Sequence, residues 1–207
     1  MNLLEFFLSR LNSIIELTWE HLLMVIIAMV ISITLGILIG VLITYNEKVA
    51  KIVLSITEVL MTIPSLALFA VLIPIFHIGV TPAVIGLVLY TQLPIVRNVY
   101  TGIKNISPAI IESAKGMGMS DLKIMYKIKL PLAFSVLIAG IRTAVVMGVG
   151  MGAIASYVGA GGLGDYIFHG IQRTNDKMVI IGAIMISLMA IILDRFLFLI
   201  QKRLEVK

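Results

Sequence analysis

The chain has 207 residues, of which 60% are hydrophobic and only 13% charged. A soluble domain usually carries roughly a quarter charged residues, so this composition cannot cover a water-facing surface. The absence of cysteine excludes disulfides, Cys-type zinc sites and Cys nucleophiles. The formal charge of +5 is better read for where the positive residues fall along a membrane chain than as a nucleic-acid signal.

The first elements are an amphipathic segment and a long apolar run. Within residues 1–20, Leu3, Leu4, Phe7, Leu8, Leu11 and Ile14 recur at helical spacing, with Glu5, Arg10 and Glu16 elsewhere. Two readings stand: a helix lying in the outer membrane interface, or a segment packed against the first span. It does not read as a signal peptide, for it lacks a basic start and a small-residue cleavage site. Residues 22–44 then carry no charge and are long enough to cross a bilayer core of about 30 Å.

Four further runs approach that length: 49–75, 80–96, 130–151 and 178–200. They do not alternate as barrel strands would, so five transmembrane helices and an all-α membrane fold are expected. Pro64, Pro74 and Pro94 lie in or at the ends of the second and third runs, where each bends a helix and frees a carbonyl. Glu58 and Arg142 are the ionisable residues deepest in their runs. Both fall roughly 14–17 Å from the same side at 1.5 Å per residue, a depth that allows them to pair.

The loop between the third and fourth runs has its own organisation. Pro108 suits the first turn of a helix, followed by Ile110, Ile111, Ala114 and Met117 on one face. Gly116 and Gly118 end that helix. Ser120 caps a second, with Asp121 in its first turn and an apolar face of Leu122, Met125 and Tyr126. Residues 107–129 therefore form two short amphipathic helices with an apolar face suited to a groove on another protein.

The segment after the fourth run is dense in glycine: Gly148, Gly150, Gly152, Gly159, Gly161, Gly162 and Gly164. No strand precedes it and no Gly-Lys-Ser/Thr follows, so it is neither a dinucleotide fingerprint nor a P-loop. It reads as close helix packing with a break near a gate, or as backbone in contact with substrate along a water-filled path. Tyr157 opens the non-helical part. His21, His77 and His169 have no metal-binding spacing and are assigned no role.

Charge sets the expected orientation. Lys48, Lys51, Arg97, Lys104, Lys115, Lys123, Lys127, Lys129, Arg195, Lys202, Arg203 and Lys207 fall on one side, and Arg10, Arg173 and Lys177 on the other. The positive-inside rule places the larger group in the cytoplasm, with the N-terminus outside and the C-terminus inside.

The loop also carries a resemblance. Glu112-Ser113-Ala114, then Gly118, then Ile128-Lys129-Leu130-Pro131 is similar to the signature of bacterial ABC importer permeases, E-A-A, three residues, G, nine residues, I-x-L-P. Ser113 in place of the middle alanine is the one departure. The chain further resembles the permeases for quaternary-amine osmoprotectants at Ile63–Ala67, Leu93–Asn98, Tyr100–Ile103, Ala139–Thr143 and Gly159–Ile167. Methionine-type permeases, which share the glycine-rich stretch, are the nearest alternative.

The resemblance implies a type I ABC importer permease in the bacterial cytoplasmic membrane. It implies that Glu112, Ser113, Ala114, Gly118, Ile128, Leu130 and Pro131 couple the spans to an ATPase subunit. It implies an external or lipid-anchored binding protein and a second permease, identical or a sister. Pro64, Tyr157, Gly159, Gly161, Gly162 and Gly164 are expected on the path or at its gate. No cofactor, metal, catalytic group or nucleic acid is expected. A secondary carrier would need an internal repeat and membrane carboxylates beyond Glu58 and Asp194, and a membrane enzyme a convergent reactive set. Neither pattern is visible.

Overall fold

The computed structural model describes residues 2–204. Its helices are α1 (Leu3–Ser9), α2 (Leu11–Leu42), α3 (Glu47–Thr62), α4 (Ser65–Phe76), α5 (Val80–Lys104), α6 (Pro108–Gly116), α7 (Asp121–Ile124), α8 (Leu130–Ala155), α9 (Leu163–Gln172) and α10 (Asp176–Leu204). α2, α5, the α7–α8 helix and α10 are long and apolar enough to cross a membrane, and α3 with α4 passes the same test as a bent pair, the geometry of a broken span or of a re-entrant loop.

The N-terminal segment departs from its expected form. Asn2 and Glu5 close a capping box, with Glu5 N–H donating to Asn2 Oδ1 at 2.8 Å. The helix breaks only at Arg10, and α2 starts at Leu11, because no Gly or Pro separates residues 11–20 from the first span. The face that packs is Phe6 and Ile14, against Tyr166 and Ile181. Leu4 and Leu8, on the apolar face read from the sequence, are exposed.

The second apolar run is broken. Pro64 forces Ile63 out of the helical region, to φ −68° and ψ 127°, and α4 leaves α3 at 99°. The Ile63 carbonyl freed by the break accepts from the Tyr90 hydroxyl on α5. The third span runs past the expected residue 96 to Lys104. Arg97 thus lies on a helix rather than in a loop, paired with Glu58, while Lys104 meets Glu47 at 3.1 Å.

The centre is α2, α5 and α8, whose Met24, Val25, Ala28, Leu87, Ile95, Val99, Ala144 and Val149 are buried together. Close approach comes from small residues. Ser32, Gly36 and Gly40 repeat every fourth position on α2. A Cβ at Gly36 would stand 2.6 Å from Ile95 Cγ2, and one at Gly40 2.6 Å from Val99 Cβ. Within this interface Ser32 Oγ and Thr91 Oγ1 share a hydrogen bond of 2.6 Å, and Gln92 Nε2 donates to Ser32 Oγ at 2.9 Å.

α10 is held to α8 by charge. The Arg142 guanidinium donates twice to Asp194, at 2.9 and 3.0 Å, and once to Gln201, at 3.0 Å. It also lies over Phe198, 4.9 Å from the ring centre. The Glu58–Arg142 pair that their depths allowed therefore does not form: each has another partner. Equal depth does not fix helix rotation, and α8 turns Arg142 toward α10.

Candidate functional site

Two loops stand out, one at each end of α8. At the end where basic residues crowd, α6 begins with Pro108 at its first turn. It ends in a left-handed glycine. Gly118 has φ +77°, its N–H donates to the Lys115 carbonyl at 2.9 Å, and Met119 N–H donates to the Ala114 carbonyl at 3.1 Å. This pair of bonds is a Schellman closure. Ser120 caps α7, its Oγ accepting from Lys123 N–H at 3.4 Å. A π turn, Met125–Lys129, then joins α7 to α8. Pro131 has no N–H for the Lys127 carbonyl and would crowd it, and the widened turn relieves that conflict.

The loop has a buried root and an exposed crown. Ala114, Ile124 and Met125 are buried. Ile110, Met117, Leu122 and Tyr126 are exposed, Met117 at 74% and Leu122 at 71%. The apolar face expected from Leu122, Met125 and Tyr126 is thus divided, with Met125 turned inward. Glu112 and Ser113 are exposed beside the crown. Ile128 and Leu130 are half-buried and Pro131 is exposed where α8 begins.

At the opposite end the glycine-dense stretch splits in two. Gly148, Gly150 and Gly152 lie inside α8. Gly152 admits the His21 ring, whose Nε2 would be 3.0 Å from a Cβ there. After a 3₁₀ turn at Ser156–Val158 the backbone turns left-handed at Gly159 (φ +82°), Gly161 (+74°) and Gly162 (+81°). α9 follows. A Cβ at Gly164 would overlap the Ala153 carbonyl oxygen and Ser156 Oγ, so the start of α9 lies directly on the end of α8. Tyr157 is exposed and meets Phe168 edge-on at 5.3 Å. Pro64 lies apart, at the α3–α4 break, where Ile63 packs on the same cluster of Leu68, Leu72 and Tyr90 as Met151 of α8.

Two links hold this loop, and a third ties α2 to α8 beneath it. Gly79 N–H donates to the Val158 carbonyl at 3.0 Å. Gly162 N–H donates to Glu20 Oε2 at 3.1 Å. His21, fully buried, places Nε2 3.0 Å from the Val149 carbonyl oxygen. Glu20 and His21 were not legible as site residues, because nothing near them in the chain marks a contact 128 or more positions away. Burial pushes the Asp165 carboxyl on α9 above its usual range. His169 pulls it partly back and Glu20 adds to the rise.

An all-helical, multiply crossing membrane protein with a structured two-helix loop at its basic end is thus defined. The chain belongs to the family of binding-protein-dependent transport system inner membrane components, whose model matches residues 32–206. It is 36% identical to the carnitine transport permease protein OpuCB of Listeria monocytogenes, over 99% of this chain and 94% of the relative. It is 41% identical to the osmoprotectant import permease protein OsmW of Salmonella typhimurium, over 97% and 96%. Its fold is that of a chain of the MetNI methionine ABC transporter, with a TM-score of 0.82, 24% identity, and 90% and 93% of the two chains covered.

Proposed function

We propose that this chain is the membrane-spanning permease subunit of an ATP-driven importer of small quaternary-amine osmoprotectants such as glycine betaine, carnitine or choline. The observation that carries the transport reading is the loop at the basic end: a Schellman-closed pair of helices with an exposed apolar crown, rooted in α8 through a π turn. Such a loop is stiff enough to pass on a push. Ile110, Met117, Leu122 and Tyr126 enter a groove of a separate ATPase subunit, beside Glu112 and Ser113. Ala114 allows close approach, Gly118 closes the turn, and Ile128, Leu130 and Pro131 join it to α8. The basic end is cytoplasmic, by the positive-inside rule. The opposite end, with Tyr157 and the Gly159–Gly164 backbone, closes the path toward the binding protein, and Pro64 sets the bend that spreads α3 from α4. A second permease completes the path.

The substrate class rests on relatives named for carnitine, choline and osmoprotectants, at 35–41% identity over nearly the whole chain. The likeness to the methionine transporter is at 24% and supports the fold alone. The test is uptake by the reconstituted transporter with its ATPase and binding protein. ATP-dependent uptake of radiolabelled glycine betaine, carnitine or choline, resistant to an uncoupler and to excess methionine, is the expected result. Competition by methionine and not by quaternary amines would overturn the substrate class.

A further inference from the structure

Glu20 and His21 are neighbours on α2, and their hydrogen bonds run to different places. Glu20 reaches the loop: Gly162 N–H donates to its Oε2 at 3.1 Å, and the same oxygen would lie 3.0 Å from a Cβ on Gly161. His21 reaches the helix below: its Nε2 faces the Val149 carbonyl of α8 at 3.0 Å. A carbonyl oxygen only accepts, so Nε2 carries the proton of the neutral ring and Nδ1 is a bare acceptor. Nδ1 is buried and has no donor among the described residues. It sits under the loop, 3.1 Å from where a Gly162 Cβ would project.

The two contacts act in opposite senses on the loop. A carboxylate accepting from a backbone N–H is a charge-assisted bond that holds the loop down. A buried acceptor without a donor is a cost of the closed loop, removed once the loop lifts and water reaches the ring. The His21–Val149 bond does not involve the loop and persists in either position. Three left-handed glycines allow the backbone to move, and the Gly79–Val158 bond makes the α4–α5 turn move with it.

We propose that Glu20 and His21 are positioning residues for the transport step. His21 ties α2 to α8 as a fixed sill. Glu20 is the releasable latch that holds the Gly159–Gly162 loop on that sill, and its release accompanies opening of the outer end. This rests on the importer reading above.

The experiment uses the absence of native cysteine. Ala160, 8% exposed within the loop, becomes the single reporter as Ala160→Cys in the complete purified transporter. Its rate of modification by a small thiol reagent is measured with Glu20, Glu20→Gln and Glu20→Ala. Loss of a charge-assisted bond should speed modification about tenfold or more in Glu20→Ala, with Glu20→Gln between, since its amide oxygen still accepts. A separate reporter, Ala133→Cys, buried where α8 begins, should stay unreactive in all three and so show an intact bundle. ATPase activity without binding protein should rise in Glu20→Ala. An unchanged Ala160→Cys rate, or ATPase activity lowered with and without binding protein as a merely structural role would give, overturns the latch. If Ala133→Cys becomes reactive in Glu20→Ala, the Glu20→Gln pair decides by the same criteria. Modification needs no substrate, so failure of the importer reading would show separately, as absent uptake by the unmodified protein.

Discussion

The turns at the two ends of α8 use the same backbone device in different surroundings. Gly118 is left-handed, and a Cβ there would meet nothing within 4 Å. Gly159 and Gly162 are left-handed too, but a Cβ would stand 2.5 Å from Ile78 Cγ2 at the first and 3.0 Å from His21 Cβ at the second. The first glycine answers only to conformation, and its turn projects from the molecule. The others answer to conformation and to space, and their loop closes onto the molecule. One turn is built to present a surface, the other to seal one.

The largest effect should come where space alone decides. Gly164→Ala puts a methyl against the Ala153 carbonyl, which α8 holds in place, and overpacking of this kind costs about 1–3 kcal/mol or more. Recovery of folded, monodisperse permease and its thermal midpoint should both fall. Gly150→Ala meets nothing within 4 Å and lies inside a helix, so it should leave both unchanged or slightly raised. Equal behaviour of the two would remove the claim that the start of α9 is seated on α8.

Next comes Gly162→Val, which combines a left-handed backbone with a β-branched side chain beside His21 Cα at 3.1 Å. Uptake should drop about tenfold or more, for strain of a few kcal/mol at a moving loop, while the ATPase subunit still co-purifies. Uptake at the normal rate would separate this loop from the path.

Gly118 offers a finer contrast. Asp and Asn tolerate the left-handed region better than other side chains, against about 1–2 kcal/mol for an ordinary residue. Gly118→Asn should therefore insert and assemble with mild loss. Gly118→Asp should also insert, yet place a charge beside the apolar crown, so uptake and binding-protein-stimulated ATPase activity should fall together. Stimulation and uptake at wild-type level in Gly118→Asp would sink the coupling role.

The smallest effect concerns Asp165, whose carboxyl is raised chiefly by burial. A carboxyl raised in the folded state costs stability when ionised, so the cost is present at neutral pH. It is relieved as pH falls through the folded value toward the unfolded one. Asp165→Asn should raise the thermal midpoint slightly at pH 7, and the difference should shrink toward pH 4. A lower midpoint at pH 7 would contradict the burial cost.

Local chemistry was legible in the chain because its causes lie within a few residues. The membrane class followed from composition. The α6 start at Pro108, its end near Gly118 and the Ser120 cap all appeared where short-range rules place them. The family signature in the same loop was readable for the same reason. Helix boundaries were less so: α2 begins well before the expected span and α5 ends well after it. Neither a continuous apolar run nor a paired charge such as Arg97 marks where a helix stops.

What the tertiary structure alone decided was which faces meet. Arg142 and Glu58 have similar expected depths, but rotation of α8 gives Arg142 to Asp194 and leaves Glu58 to Arg97. At the 99° bend beside Pro64 the freed Ile63 carbonyl accepts from the Tyr90 hydroxyl of another helix, a partner that no local run of residues names. Seven neighbouring glycines look alike in the chain, and only the folded backbone separates Gly148, Gly152 and Gly164, which let elements approach at Met29, His21 and Ala153, from Gly159, Gly161 and Gly162, which let the chain turn. Composition and caps act through solvent and through adjacent residues, so the sequence by itself determined a helical membrane protein with an ordered loop between its third and fourth spans. Side-chain partners across the bundle depend on helix rotation and separation, which no local run of residues encodes.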